Sequence, residues 1–398
     1  MTICECRGYS ICFMQMRYII PPNKVILLIG DHYQTLGLLR SLGESGIKPI
    51  VVYYGKGPLI PNSKYSNCLI PVKDAQNGLD YIIDHYGNEK LKPFLFASSD
   101  KDAIFLDTNY DRLIDKFYFS HCGEKGRLTK FMNKDENTHL AEKYGIQLPK
   151  EEQVMTGELP TTLKYPVITK AVYTIEGAWK GDMYICQNED ELKEAYKKIK
   201  SPRLLVQEYI DKKNELSING MSIGNGECIM PFVTDYIRFY KNAYGHYMTF
   251  HKFEEDNELW GKIQSAVKEM KFSGLFEAEL LLDKDDKQYF LEINLRHTTW
   301  GHGITYGGVN LPYLWIMSTL SGHIDKSCLA DRRDDYIAMV EPIDYLLNVK
   351  RGNYSAVKWW RDLFRCDFTY FYNKKDPKPF WKWLQKNYKQ FIFKNITH

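Results

Sequence analysis

The most informative stretch of this sequence runs from residue 275 to residue 296 and reads LFEAELLLDKDDKQYFLEINLR. Its two apolar segments, 275–283 and 289–294, flank a short polar segment rich in Asp and Lys. Apolar runs of this length on either side of a polar turn are typical of two paired strands. The stretch therefore predicts an antiparallel hairpin.

Acidic and amide side chains face one another across this predicted hairpin. Because side chains alternate along a strand, Glu277 and Glu279 share one face of the first strand, and Glu292, Asn294 and Arg296 share one face of the second. Oxygen ligands without His or Cys suit a hard cation such as Mg²⁺, which takes one or two carboxylates together with phosphate oxygens. The guanidinium of Arg296 suits bidentate binding of a phosphoryl or carboxylate group. Taken alone, the pattern is a weak signal, and the charged outer face of a solvated sheet is its default interpretation.

A βαβ unit is predicted far upstream of the hairpin. The apolar run Val25–Ile29 precedes a segment with helical spacing at 36–42 and a second apolar run at 49–54. Polar residues follow two predicted strands, at 30–32 and 98–100, where ligands bind in open parallel sheets. Turn and helix-capping roles explain these residues equally well. The chain has neither a Gly-x-Gly-x-x-Gly after the first strand nor a P-loop motif, so both classes of nucleotide site are disfavoured.

Taken in order, the elements of the chain resemble the ATP-grasp superfamily. The strand YPVITK ends at Lys170, a loop follows, the strand VQEYI covers 206–210, and the Glu…Glu-x-Asn-x-Arg hairpin comes last. The sequence Asn294-Leu-Arg296, followed by GGVNLP at 307–312, most resembles carboxylate–amine ligases of the D-aspartate ligase type.

This resemblance implies an α/β and α+β fold class. A pre-ATP-grasp parallel-sheet domain would precede an ATP-grasp fold with an α+β lid, and a helical extension rich in aromatic and basic residues would follow. The implied boundaries are a disordered or loosely attached leader at 1–23, the parallel-sheet domain at 24–120, the ATP-grasp domain at 121–330 with its lid at about 154–212, and the extension at 331–398.

The resemblance also implies a role for each matched residue. Nucleotide phosphates would contact Lys134 and Lys170, and the ribose would contact Glu215. The adenine would be bound, mostly through main-chain groups, by the linker Gln207, Glu208, Tyr209 and Ile210. The magnesium ligands would be Glu279, Glu292 and Asn294. The residues assigned to catalysis are Arg296 beside the acyl-phosphate, Lys180 in the lid loop, and His302 near the acceptor amine, although His302 has a loop-structuring role as its alternative.

The activity implied is that of a ligase that uses ATP and Mg²⁺, with Mn²⁺ as the alternative metal. It would activate a small-molecule carboxylate as an acyl-phosphate and join it to an amine, and by family association it would modify cell-envelope precursors. The lid loop contains only Gly177 and Gly181, fewer glycines than is usual for a phosphate cover. A nucleotide-binding protein without turnover, held at a membrane surface or by a partner, is therefore an alternative. Phosphoryl transfer to a hydroxyl and carboxylation with bicarbonate are others.

Charge is distributed unevenly along the 398 residues. Residues 350–398 contain twelve Lys and Arg against three Asp and no Glu, a charge of +9. Because the whole chain carries +3, the preceding residues carry −6. No nucleic-acid-binding signature accompanies this basic segment, so nucleic acid is not expected as a partner.

An amphipathic helix is predicted at 376–393, with Asp376 as its N-cap and Pro377 in its first position. Its aromatic and apolar face comprises Phe380, Leu384, Tyr388 and Phe391, opposite a row of lysines. Such a helix either docks on the body of the protein or lies on an anionic membrane, which residues 355–393 would contact.

Nine scattered cysteines without a Cys-x-x-Cys pair indicate a reducing compartment and disfavour structural zinc. No apolar run is long enough to span a membrane, and the first 20 residues lack the pattern of a signal peptide. A cytoplasmic location is expected, with peripheral association at the inner membrane face as the alternative.

Overall fold

Three β-sheets form the framework of the computed structural model, which describes residues 18–171, 182–240 and 244–392. The first sheet is parallel and four-stranded, with the order β3-β2-β1-β4. Its strands are β1 (Val25–Ile29), β2 (Ile50–Tyr53), β3 (Cys68–Pro71) and β4 (Phe94–Phe96). The helices that accompany it are α1 (Tyr33–Glu44), α2 (Ala75–Tyr86), α3 (Asp100–Thr108) and α4 (Tyr110–Leu113). The predicted βαβ unit is confirmed, because β1 and β2 pair in parallel on either side of α1.

A small antiparallel sheet forms the lid. It has the order β5-β8-β6-β7 and buries Val167, Leu192 and Leu204 in its own core. Two helices precede it, α5 (Arg127–Phe131) and α6 (Lys134–Lys143). The elements of the lid are β5 (Glu151–Met155), β6 (Val167–Ala171), β7 (Ile185–Cys186), α7 (Glu189–Tyr196) and β8 (Arg203–Glu208).

The central sheet has seven strands in the order β13-β12-β9-β10-β11-β14-β15. The strands are β9 (Lys212–Ile223), β10 (Cys228–Tyr240), β11 (Tyr244–Lys252), β12 (Ser273–Asp283), β13 (Gln288–Asn294), β14 (Tyr336–Met339) and β15 (Phe368–Thr369). The helices are α8 (Glu258–Met270), α9 (Gly301–Tyr306), α10 (Leu311–Ser321), α11 (Glu341–Asp344), α12 (Ala356–Arg365) and α13 (Lys378–Ile392), with a π-helical turn at Tyr345–Val349 after α11. The predicted hairpin is confirmed as β12 and β13.

The two faces of the central sheet pack against different partners. Phe232, Phe250 and Leu275 belong to the same buried cluster as β1 and α1. Residues of the opposite face, among them Phe276 and Ala278, pack with α8. One face of this sheet therefore lies against the parallel-sheet domain, which brings the carboxyl ends of β1 and β4 close to the hairpin.

The C-terminal segment is part of the body of the protein. Strand β14 pairs with β11 and β15 pairs with β14, so both extend the central sheet. The guanidinium of Arg40, in α1, is fully buried and donates to Asp376 Oδ2 at 3.0 Å. It also donates to the carbonyl oxygens of Tyr370 and Phe371. Asp376 in turn accepts hydrogen bonds from the Ser63 hydroxyl at 2.8 Å and the Lys64 amide at 2.8 Å.

These contacts correct the prediction for Asp376. Helix α13 begins at Lys378, so Asp376 is not its N-cap but the buried partner of Arg40. The helix does dock on the body, because Trp383 packs on Phe371 with ring centroids 4.9 Å apart. Tyr388, which was predicted on the apolar face, is 47% exposed. The side chain of Phe391 lies outside those that the structure describes.

The structure describes the predicted leader, residues 1–23, only from residue 18 onward. Residues 1–17 lie outside the described part of the chain. The main chain of Ile19 exchanges two hydrogen bonds with the Tyr313 hydroxyl, at 3.0 and 3.1 Å. The ring of Tyr18 packs edge-on against Tyr313, with centroids 4.6 Å apart. Residues 18 and 19 are therefore attached to α10.

We expect Asp376→Ala to lower the free energy of unfolding by about 3–5 kcal/mol, because the substitution leaves the Arg40 guanidinium buried without its carboxylate. Urea unfolding followed by circular dichroism measures this change. Asp334→Ala is the matched control, since Asp334 pairs with Lys252 on the surface, where water screens the interaction. Equal destabilisation by the two substitutions would contradict the prediction.

Candidate functional site

The register of β12 against its neighbours collects acidic side chains on one face of the central sheet. Glu279 lies directly opposite Glu292, and Glu277 lies opposite Asn294. On the other side of β12, Glu279 pairs with Ser217 of β9. The amide of Asn294 donates from Nδ2 to Glu279 Oε1 at 2.9 Å. Three predicted metal ligands, Glu279, Glu292 and Asn294, are therefore brought together.

Burial of these carboxylates leaves their negative charge poorly compensated. Glu277 is only 4% exposed and accepts a hydrogen bond from the Ser217 hydroxyl. Burial raises its pKa. The pKa of Glu279 is raised well above its usual value by burial and then by the charges of Glu277, Glu292 and Glu215. A cation bound among these residues would offset this repulsion.

The donor set fits a magnesium ion that keeps water and phosphate oxygens in its shell. Glu279, Glu292 and Asn294 supply two carboxylates and one amide, and Mg²⁺ ordinarily binds proteins through so few groups. Within 18–171, 182–240 and 244–392, no three or more His, Cys, Asp or Glu side chains are grouped so as to hold a metal ion by themselves. The metal assignment stays a prediction, and it requires the remaining ligands to come from the nucleotide and water.

Lys170 is positioned at the end of β6 by two consecutive hydrogen bonds. Its Nζ donates to Gln207 Oε1 at 2.6 Å, and Gln207 Nε2 donates to Glu151 Oε2 at 2.7 Å. Burial lowers the pKa of Lys170 to about 8; the charge of Lys134 lowers it further, whereas Glu151 and Glu292 raise it. Lys134, at the start of α6, and Glu292, on β13, thus both act electrostatically on a lid lysine.

The predicted adenine linker uses its groups in two different ways. Gln207 acts through its side chain, in the bonds to Lys170 and Glu151 just described. The main-chain amides of Glu208 and Tyr209 donate to the carbonyl oxygens of Lys150 and Pro166, at 2.8 and 3.0 Å. Ile210 is 9% exposed, and its amide has no main-chain partner among the described residues.

Glu215 lies on β9, five positions after Ile210, the last residue of the linker. Lys212 Nζ donates to Glu215 Oε1 at 2.7 Å and also lies over the ring of Phe239, 4.5 Å from its centroid. Burial raises the pKa of Glu215, and Lys212 opposes this shift. The predicted ribose carboxylate therefore has a buried lysine beside it, which the sequence analysis did not assign.

Arg296 bridges the hairpin and the parallel-sheet domain. Its Nε donates to Asp100 Oδ1, and its guanidinium lies at 3.4 Å from Asp100 Oδ2. Asp100 is the first residue of α3, and Ser99 is the N-cap. Gln34 of α1 adds a second bridge, because its side-chain amide donates to the carbonyl oxygens of Ser98 and His297. The carboxyl end of β4, which the sequence marked as a ligand edge, therefore meets the arginine of the hairpin.

The two histidines beyond the hairpin are buried. Burial lowers the pKa of His297 to about 3, helped by the charge of Arg296. His302 is 2% exposed, with Nε2 at 3.3 Å from Glu44 Oε1, and its ring packs against Phe368. These neighbours belong to α1 and to the C-terminal segment, so His302 lies in the packing between them. Its catalytic role stays a prediction, as does that of Lys180, which lies outside the described residues.

Two tyrosines that the sequence analysis missed face the carboxylates. The pKa of Tyr236, on β10, is raised well above its usual value by burial and by the charges of Glu215, Glu279 and Glu277. Burial and Glu277 also raise the pKa of Tyr33. A half-polar strand such as β10 carries no motif, so nothing in the sequence indicates that Tyr236 lies near these carboxylates.

The site lies within a stretch that matches a known domain family. Residues 131–300 match the family model ATP-grasp_3, described as an ATP-grasp domain. N5-carboxyaminoimidazole ribonucleotide synthase of Staphylococcus epidermidis is 25% identical over 146 residues, 35% of this chain and 36% of that protein. D-alanine–D-alanine ligase of Fusobacterium nucleatum is 29% identical over 175 residues, 41% of this chain and 55% of that protein. The chain thus spans about a third to about half of these curated relatives.

Solved structures resemble a larger part of the chain. N5-carboxyaminoimidazole synthetase from Staphylococcus aureus superposes with a TM-score of 0.62 at 15% identity, over 85% of this chain and 88% of that chain. L-amino acid ligase from Bacillus licheniformis does so with a TM-score of 0.57 at 17% identity, over 79% of each chain. Biotin carboxylase from Campylobacter jejuni gives 0.59 at 17% identity, over 79% of this chain and 74% of that chain.

At these identities the structural likeness establishes the fold, and together with the family match it confirms the predicted architecture. The catalytic and binding roles of single residues stay predictions. The chain has the ATP-grasp fold, and its residues 131–300 match the ATP-grasp domain.

Proposed function

We propose that this protein is an ATP- and Mg²⁺-dependent ligase that joins a small-molecule carboxylate to an amine. The observation that carries the proposal is the convergence of Glu279, Glu292 and Asn294 on one face of the hairpin. Beside them, the pKa of Lys170, which burial lowers, is also influenced by the charges of both Lys134 and Glu292. A lysine pair suits the phosphates of a nucleotide, and the neighbouring carboxylates suit the metal that accompanies them. The names of two similar proteins, L-amino acid ligase and D-alanine–D-alanine ligase, support carboxylate–amine chemistry.

The first step of the proposed reaction activates the carboxylate. Its oxygen forms a bond to the γ-phosphorus of ATP while the bond between that phosphorus and the β–γ bridging oxygen breaks, which releases ADP. Lys170 and Lys134 would neutralise the phosphoryl oxygens, and Arg296 would bind the acyl-phosphate. When bound, Mg²⁺ would supply positive charge that offsets the negative charge of the phosphates. Glu279, Glu292 and Asn294 would hold it.

In the second step the amine nitrogen bonds to the acyl carbon, the bond from that carbon to the phosphate oxygen breaks, and the amine loses a proton. The reaction needs positioning and charge neutralisation more than a strong base. This matches a site whose buried histidine, His297, has a pKa lowered to about 3. A substrate of the D-aspartate ligase type, from cell-envelope precursors, is the class that the resemblance favours.

We expect Glu292→Gln to lower the rate of ADP release about 10²- to 10³-fold, because it removes a carboxylate charge that the proposed metal site requires. ADP release is measured with a panel of amino acids and other amines as acceptors. The matched control is Asp285→Asn, in the exposed turn of the same hairpin, which we expect to leave the rate unchanged.

The outcomes of this experiment separate the proposal from its alternatives. Hydroxylamine should trap the activated carboxylate as a hydroxamate, which transfer to a hydroxyl would not produce. ATP binding without ADP release for any carboxylate and amine would favour the nucleotide-binding alternative and overturn the ligase proposal. ADP release that requires bicarbonate alone would replace it with carboxylation.

We expect the affinity for ATP to be constant up to about pH 8 and then to fall by up to about tenfold per pH unit, because the pKa of Lys170 is lowered to about 8. Bound phosphates keep Lys170 protonated and raise its pKa, so binding takes up a proton above the pKa of the free protein. Equilibrium titration across this range, well above the phosphate pKa near 6, measures the effect.

Two variants test whether Lys170 is the source of this pH dependence. Lys170→Met should weaken binding at neutral pH and remove the decline above pH 8. Lys193→Met, on the exposed lid helix α7, should bind as the unaltered chain does and keep the decline. A decline that persists in Lys170→Met would refute the assignment.

A further inference from the structure

The C-terminal helices α12 and α13 enclose an apolar groove with a volume of about 690 Å³. Trp360 and Phe364 border it from α12, and Trp381 borders it from α13. Tyr372, from the segment between the two helices, packs its ring against that of Phe380 in α13, with centroids 5.6 Å apart. The groove thus has aromatic side chains from three parts of the C-terminal segment.

Large apolar side chains around this groove are exposed to an unusual degree. Phe364 is 83% exposed, Trp360 is 51% exposed and Trp381 is 57% exposed. Val357 is 80% exposed and lies three residues before Trp360, so that Val357, Trp360 and Phe364 form one stripe along α12. These residues do not contribute to the core, and their exposure is concentrated on one surface.

Basic side chains run beside both apolar stripes. On α12, Lys358, Arg361 and Arg365 each follow a residue of the stripe by one position, which is about 100° around the helix. On α13, Lys382 and Lys389 follow Trp381 and Tyr388 in the same way. Both helices therefore present an apolar ridge with a cationic ridge next to it.

The acidic residue of α12 and the one just before α13 are buried, whereas Asp367, between the two helices, is exposed. Asp362, the only acidic residue of α12, is buried and accepts hydrogen bonds from Arg238 at 2.9 Å and Tyr354 at 2.8 Å. Asp376 is buried against Arg40, and α13 contains no acidic residue. In the described part of the chain, neither Lys358 nor Lys382 has a carboxylate partner within 4.0 Å. The exposed charges of the two helices are all positive.

We infer that α12 and α13 dock on an anionic phospholipid bilayer, with Trp360, Phe364 and Trp381 inserted at the interface and the neighbouring lysines and arginines on the headgroups. An apolar ridge beside a cationic one fits a surface that has negative headgroups above an apolar interior. Tryptophan beside lysine is also the combination that membrane–water interfaces favour. No helix in the described part of the chain is both long and apolar enough to cross a bilayer. The contact is therefore peripheral, and it does not depend on the proposed ligase activity.

Vesicle co-sedimentation of the full chain tests the inference. We expect binding to phosphatidylcholine vesicles that contain phosphatidylglycerol and much weaker binding to phosphatidylcholine alone. The variant Trp360→Ala/Phe364→Ala/Trp381→Ala should lose about tenfold or more in partitioning. Leu91→Ala/Leu320→Ala, which shortens two exposed leucines elsewhere, is the matched control and should bind unchanged. Circular dichroism establishes that each variant is folded.

Charge variants test the second part of the inference. Lys358→Gln and Lys382→Gln should each weaken binding to anionic vesicles about fivefold. Lys193→Gln, on α7, should have no effect. Brominated lipid should quench tryptophan fluorescence, and Trp360→Phe/Trp381→Phe should lose most of that quenching while it still binds.

Three results would overturn the inference. The first is equal vesicle binding by the triple alanine variant and the unaltered chain. The second is a dimer that the triple variant converts to monomer, without vesicle binding, since the groove would then join two copies of this chain. The third is binding of an acidic peptide to the groove while the chain binds no vesicles.

Discussion

The position of β12 between β9 and β13 is the constraint on which the site depends. Its register sets Glu277 and Glu279 among the side chains of Ser217, Glu292 and Asn294, inside the protein. Carboxylates placed together repel one another, and burial followed by this repulsion raises the pKa of Glu279 well above its usual value. The neighbouring cations Arg296 and Lys170 offset part of this repulsion. A body that carries −6 overall attracts a polyanion through these individual cations rather than through bulk charge.

Helix α1 connects the region of the hairpin with the C-terminal segment. Near its start, Gln34 donates to the main chain beside Arg296; in its middle, Arg40 holds the C-terminal segment; and at its end, Glu44 meets His302. One helix of the parallel-sheet domain thus contacts the residues just after the hairpin, helix α9 and the segment that precedes the final helix. This explains why a segment that lies beyond the matched domain is nevertheless anchored by a fully buried ion pair.

Local patterns predicted those parts of the fold in which neighbours in sequence are neighbours in space. The alternation in 275–294 predicted the hairpin and its shared faces, and the apolar runs at 25–29 and 49–54 predicted the βαβ unit. Strand β11 was missed, because its mixture of aromatic and polar residues has no clear period. Asp376 illustrates the limit of local rules. An Asp-Pro pair before an amphipathic segment is typical of a helix start. The Asp376 carboxylate instead binds the guanidinium of Arg40, 336 residues away in sequence.

The same contrast between local patterns and long-range contacts applies to the residues of the candidate site. Lys170, Glu279, Glu292 and Asn294 lie at positions that a motif marks, and the structure brings these residues together. Asp100 lies at a strand end that the sequence predicted as a ligand edge, but its bond to Arg296 joins segments distant in sequence. Tyr236 belongs to no motif.

Strand β10 connects the carboxylate cluster with the C-terminal groove. Tyr236 faces the carboxylates, while Arg238, two residues later and beyond a register shift, binds Asp344 and Asp362. These aspartates belong to α11 and α12, and α12 forms one wall of the groove. Because Arg238 holds Asp362 inside the protein, the exposed side of α12 keeps only its basic residues. The ion pair that fastens the helix to the central sheet is therefore also the reason that its outer surface is cationic.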